Sequence, residues 1–133
     1  MGIIIEKPEF ISHLSGLANL KMIAEVKKIS TEETIRNYMR FFSLDPDSKQ
    51  SVKRYSLGMR QKIGIIQAIM ENPDLLVLDE PFNALDEESV KKLRELLLKF
   101  KEEQKLIIVT SHHKEDIDYI CNQIINMENG KII

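Results

Sequence analysis

Leu75-Leu76-Val77-Leu78 is an unbroken apolar run that ends in an abrupt polar switch. Such a run reads as a strand buried on both faces, the kind found in parallel sheets covered by helices. Asp79 and Glu80 follow at once, and Pro81 ends the pairing. Ile3-Ile4-Ile5 and Leu106-Ile107-Ile108-Val109 have the same buried character, so strands are expected at 2–5, 75–79 and 106–110, with a weaker one at 123–127. Between them the apolar positions recur every three to four residues. Leu17, Leu20, Ile23 and Ala24 form one helical stripe, and Ile35, Tyr38, Met39 and Phe42 form a second. Ile63, Ile66, Ile69 and Met70 mark a third helix, and Val90, Leu93, Leu97 and Phe100 mark a fourth from about Glu87 to Glu103. A short fifth helix after His113 turns Ile117, Ile120 and Cys121 inward.

The polar residues punctuate this pattern. Ser30 and Glu33 have capping-box spacing at the start of the second helix, and Ser56 is placed as the N-cap of the third. Asp45-Pro46-Asp47 and Glu71-Asn72-Pro73 stop helices, and Glu128-Asn129-Gly130 is a turn leading into Lys131-Ile132-Ile133. Strand and helix alternate, which predicts an α/β fold with a parallel sheet.

Composition adds bounds. The chain has 133 residues, 43% of them apolar, enough for the core of one domain. Nineteen basic and 21 acidic residues give a net charge of −2, which argues against a nucleic-acid binder working through a general positive field. No apolar run reaches the roughly 18 residues of a membrane span, and no signal peptide precedes the first strand. The single cysteine, Cys121, has no internal disulfide partner and reads as a small apolar side chain near a helix end. The first predicted strand starts with almost no lead-in, so the sequence is expected to begin inside a domain rather than at its edge.

Chemistry concentrates in three places. Two adjacent carboxylates, Asp79 and Glu80, sit where a buried strand emerges at the carboxyl edge of a sheet. Neighbouring anions there suit a divalent cation on one and a polarised water on the other, although a core strand running into a solvated turn is the plainer alternative. Ser56, Leu57 and Gly58 open a helix whose free N–H groups and positive dipole end suit a phosphate, or simply make an ordinary capped helix. Ser111-His112 ends the 106–110 strand. His13 and His113 carry no comparable case.

Taken together these motifs resemble the nucleotide-binding domain of an ABC transporter. Tyr55 to Gln61 is similar to the signature sequence, usually Leu-Ser-Gly-Gly-Gln. Leu75 to Glu80 is similar to the Walker B strand, Asn83 to Asp86 to the D-loop, and Ser111-His112 to the switch-histidine loop. Ser56 lies 23 residues before Asp79 and His112 lies 33 after it, separations that suit the family. Gly2 to Pro8 resembles the Q-loop and its strand, so the likeness covers the whole chain. Three positions depart from the pattern: Leu57 stands for the first signature Gly, Met59 for its Gln, and Glu6 for the Q-loop Gln. With Phe10, Leu14 and Asn19-Leu20, these departures are similar to the bacitracin-resistance and lantibiotic-immunity branch of exporters. No Gly-x-x-x-x-Gly-Lys-Ser/Thr occurs in these residues, so the likeness is to the later part of the domain, without the Walker A loop and its central strand.

The resemblance implies a P-loop NTPase-like parallel sheet, partial in lacking the Walker A strand. An α-helical subdomain at 8–72 would carry the signature, with 1–7 and 73–133 as the remainder of the α/β core. ATP and Mg²⁺ are the implied cofactors. Asp79 would hold Mg²⁺, Glu6 could join it, Glu80 would polarise the attacking water and His112 would contact the γ-phosphate. Ser56, Leu57, Gly58 and Asp86 would serve nucleotide on the opposite subunit of a head-to-tail dimer. The segment Pro8 to Leu20 would dock a transmembrane permease, placing the chain in the cytoplasm, peripheral on the inner face of the cell membrane.

Two functions follow. One is an ATP-hydrolysing subunit of an antimicrobial-peptide exporter, present as a fragment that is inactive without a P-loop. The other is a non-catalytic interaction module that presents the signature and D-loop to an intact ATPase. A DNA-repair relative is disfavoured, since the chain has no long heptad insertion or basic arm.

Overall fold

The computed structural model describes the backbone of residues 2–4 and all of residues 9–133. Strand β1 (Gly2–Ile4) is followed by helices α1 (Gly16–Lys27), α2 (Glu32–Phe41) and α3 (Leu57–Ile69), with a single 3-10 turn at Val52–Arg54 before α3. Then come β2 (Leu75–Asp79), α4 (Glu87–Glu102), β3 (Leu106–Thr110), α5 (Lys114–Ile120) and a terminal hairpin, β4 (Met127–Glu128) with β5 (Lys131–Ile132). β1, β2 and β3 form a parallel sheet in the order β1-β2-β3. Leu76 pairs with Gly2 on one side and Ile107 on the other, and Asp79 pairs with Thr110.

The expected parallel α/β fold is present, with β2 and β3 at the predicted residues. β2 has one fully buried face, Leu76 and Leu78, while Leu75 and Val77 on the other face are only half-buried. The expectation of burial on both faces therefore fails, and it fails further for β3. There Leu106 is 61% and Ile108 is 49% exposed, because among the described residues the helices pack against one face of the sheet. α3 packs against β1 and α4 against β3, and Ile63, Ile65, Ile66, Ile69, Leu93, Leu97 and Phe100 of these helices share one buried cluster with Leu76 and Leu78.

Two local expectations are corrected. The cap of α2 is Thr31, not Ser30: its hydroxyl accepts from the Thr34 N–H at 3.2 Å, and Glu32 and Glu33 fall in the first turn, where the helix dipole favours anions. The strand expected at 123–127 is absent, and only Met127 of that stretch is paired. Its turn, Asn129-Gly130, has positive φ at both positions (50° and 76°), the geometry that closes a two-residue hairpin, so Met127 pairs back onto Ile132. Cys121 caps α5 and is half-buried, and burial pushes its thiol pKa up.

Candidate functional site

β2 delivers Asp79 and Glu80 to the carboxyl edge of the sheet. Glu80 leaves the strand with φ at 48°, a left-handed conformation that costs about 1–2 kcal/mol for a residue with a Cβ. The Glu80 side chain is mostly buried, and its Oε1 lies 3.1 Å from His112 Nε2, whose own side chain is 92% exposed. The histidine reaches in from the loop after β3, where the His113 N–H donates to Ser111 Oγ at 3.0 Å and tightens the turn. Asp79 is held from the neighbouring strand, the Thr110 hydroxyl donating to its Oδ1 at 2.5 Å.

A second group forms at the start of α3. Ser56 is its N-cap as expected, with Oγ accepting from the Met59 N–H at 3.1 Å. Leu57 is 72% exposed. Gly58 sits so close to the Asn83–Asp86 turn that a Cβ there would lie 2.7 Å from the Ala84 carbonyl oxygen. Asp86 precedes α4 and lies 3.6 Å from Lys62 Nζ. Interaction with the Ser89 side chain, and then with the Lys62 ammonium, holds the Asp86 carboxyl below the usual carboxylate range. Tyr55, just before the cap, donates nothing to this group; its hydroxyl accepts from the buried Gly16 N–H at 3.1 Å and so ties the entry of α3 to the start of α1.

The structure thus brings Asp79, Glu80 and His112 together, and separately Ser56, Leu57, Gly58 and Asp86. Gln61 joins the two groups, donating through Nε2 to the carbonyls of Glu80 (3.1 Å) and Pro81 (3.0 Å). Thr110 and Gln61 were not foreseen as site residues. The one signal in the sequence was position: Thr110 closes a strand predicted to run beside β2, and Gln61 lies one turn into the helix that Ser56 opens. Glu6 and Pro8 lie outside the described residues. In the segment that follows, Asn19 is buried and pins the loop, accepting from the Ile11 N–H at 2.8 Å and donating to the Ile11 carbonyl at 3.1 Å. A cavity of about 440 Å³ between α2 and α4 is lined by residues such as Tyr38, Phe41 and Phe100 and touches none of these groups.

Among the described residues no three His, Cys, Asp or Glu side chains converge to cage a metal. One or two oxygen donors at the end of a strand are nevertheless what Mg²⁺ takes when phosphates and waters complete its octahedron, so Asp79 with Glu80 fits that ion.

Comparison with known proteins decides the family. The family model described as ABC transporter matches residues 1–83, more than half of the chain. The chain belongs to the ABC transporter family. It is 39% identical over 132 residues to the uncharacterized ABC transporter ATP-binding protein YybJ of Bacillus subtilis (strain 168), covering 99% of this chain and 61% of that one. It is 36% identical to the lantibiotic transport ATP-binding protein SrtF of Streptococcus pyogenes, covering all of this chain and 58% of SrtF. The solved structure of an ATP binding subunit of an ABC transporter superposes with a TM-score of 0.86 at 26% identity, over 98% of this chain and 56% of that one. The chain therefore spans well under two thirds of the length of these ABC transporter relatives.

Proposed function

We propose that this chain is the catalytic-carboxylate and signature portion of an ATP-binding subunit, hydrolysing ATP to drive an exporter of antimicrobial peptides. The observation that carries the reading is the Glu80–His112 contact at 3.1 Å beside Asp79, at the end of a parallel strand. In it Glu80 polarises the attacking water, His112 meets the γ-phosphate and Asp79 holds Mg²⁺, with Glu6 as a second candidate ligand. Bound there, Mg²⁺ would supply charge neutralisation on the phosphate oxygens. Ser56, Leu57, Gly58 and Asp86 serve the nucleotide of a second ABC ATPase subunit in a head-to-tail dimer. The exporter assignment is supported by the likeness to a lantibiotic transport protein. The helical segment 8–72 acts as the signature-bearing subdomain. Its Pro8–Leu20 stretch docks a transmembrane permease and so keeps the chain on the inner face of the membrane; support comes from the buried Asn19, which gives that loop a fixed shape.

A second reading has its own support. The close approach of Gly58 to Ala84 and the Lys62–Asp86 pair hold the signature helix against the D-loop, and Gln61 ties the same helix to the preceding Glu80 and Pro81 carbonyls. Held in this way, helix and D-loop could present Ser56 and Asp86 to an intact ATPase without hydrolysing ATP themselves. Phosphate release from Mg–ATP separates the readings. The 133-residue chain alone is expected to turn over at background, because backbone N–H groups of a Walker A loop are the main grip on the phosphates. Joined to the Walker A-bearing front segment of a relative, it is expected to hydrolyse ATP, and Glu80→Gln should abolish that. Hydrolysis by the joined protein that ignores Glu80→Gln rules out the catalytic reading. Glu80-dependent turnover by the chain alone would mean that another group here grips the phosphates.

A further inference from the structure

Glu80 stands in a left-handed backbone conformation at φ 48°, and both of its peptide groups are held from outside its own strand. On the amino side, its N–H donates to Thr110 Oγ1 at 3.0 Å and to the Thr110 carbonyl at 3.2 Å. The same hydroxyl donates a hydrogen bond to Asp79 Oδ1, so one oxygen fixes two consecutive residues. On the carboxyl side, Gln61 Nε2 donates to the Glu80 and Pro81 carbonyls. A strained residue persists only where its surroundings over-determine it, and such residues cluster where chemistry is placed.

We propose that Thr110 and Gln61 are positioning residues: together they clamp the Asp79–Pro81 backbone so that both carboxylates keep one geometry. Thr110 does so from the strand that leads to His112, and Gln61 does so from the helix that Ser56 caps. A threonine hydroxyl is suited to the first task because it can accept from the Glu80 N–H and donate to Asp79 at the same time. A glutamine amide is suited to the second because its two protons can satisfy two successive carbonyls. The clamp also gives the start of α3 a direct mechanical link to the carboxylate loop. Whatever seats against Ser56 and Gly58 is thereby felt at Glu80. The use of this clamp in catalysis rests on the hydrolysis reading above; its existence does not.

The test has two arms. In the first, amide hydrogen exchange is followed by NMR on the 133-residue chain without nucleotide. Thr110→Val keeps the shape and removes the hydroxyl, and is expected to speed exchange at Glu80 about fivefold, as loss of one exposed hydrogen bond implies. Thr110→Ser should restore protection, and the Leu76 and Leu78 amides should not change in either variant. Unchanged exchange at Glu80 in Thr110→Val, or equal acceleration along all of β2, overturns the clamp. The second arm uses the protein joined to a Walker A-bearing segment. There Thr110→Val and Gln61→Leu should each lower kcat about tenfold with KM within about twofold, since only positioning at the reacting centre is lost. Thr110→Ser should recover kcat. Wild-type kcat in both Thr110→Val and Gln61→Leu removes the catalytic role. If the joined protein releases no phosphate through Glu80, the hydrolysis reading fails, and the exchange arm by itself decides whether the clamp exists.

Discussion

At position 58 the side chain is excluded by distance. The nearest atom to an added Cβ is a backbone carbonyl oxygen, that of Ala84 at 2.7 Å, so no flexible side chain can give way. Ala84 is itself in the left-handed region (φ 64°), and moving its carbonyl means changing the turn. Gly58→Ala is therefore expected to push the Asn83–Asp86 turn away from α3 and to cost roughly 1–3 kcal/mol, the usual range for overpacking. Urea unfolding reads the cost, and amide shifts confined to residues 83–86 and the start of α3 read the displacement; a variant of unchanged stability and spectrum would refute it. The neighbouring Lys62–Asp86 pair should persist through mild acid. Because the Asp86 carboxyl is held below its ordinary range, whatever the pair contributes is present above that range and is lost only as pH falls through the depressed pKa.

Between elements, a partly buried ion pair links α4 to α5. Asp116 is buried, and its Oδ1 accepts from Arg94 Nε at 3.0 Å and from the Arg94 terminal nitrogen, while the guanidinium lies 5.2 Å over the Tyr119 ring. Removing Arg94 would leave the buried Asp116 carboxylate alone, so Arg94→Ala is expected to cost roughly 3 kcal/mol. It should also loosen the loop carrying His112, which enters α5 directly. Thermal unfolding and the line width of the His112 ring signals measure the two effects; a stability within experimental error of wild type would show that the pair is not needed.

This link also shows how far the sequence could be read. Asp116 and Arg94 lie on helices whose apolar stripes were evident, yet nothing in those stripes says that two polar residues 22 positions apart would meet. Thr110 and Gln61 escaped for the same reason, since each acts through a tertiary contact. Asp79, Glu80, Ser56 and His112 were legible because strand ends and helix caps are local, and because their spacing matched a known order of motifs. Ser30 misled because Ser-x-x-Glu and Thr-x-x-Thr are offset by a single residue here, and only the backbone turn chooses between them. Residues 123–127 misled because an apolar run with no neighbour to pair with has no reason to extend, whereas Asn129-Gly130 could close a hairpin from four residues.

For the whole molecule, the unequal covering of the sheet governs behaviour in solution. Leu106 and Ile108 of β3 share a face with the half-buried Leu75 and Val77, and among the described residues no helix covers it. β3 is also the outer strand of the sheet among those residues, so its far side offers unpaired N–H and C=O groups. Ile124, Ile125 and Met127 follow it, each about half or more exposed. A β-branched, uncharged edge with an open apolar face is a template for pairing with another strand. The isolated chain is therefore expected to self-associate as its concentration rises, most strongly in salt, which weakens the repulsion of a small net charge. Ile108→Lys should suppress this. The residue is half-exposed on the open face, so the substitution adds a charge to the edge while leaving Leu76, Leu78 and the helix-facing core untouched. Sedimentation velocity over a hundredfold concentration range is the measurement. A wild-type chain that stays monomeric throughout, or an Ile108→Lys chain that associates as strongly, would show that this face is not what drives association.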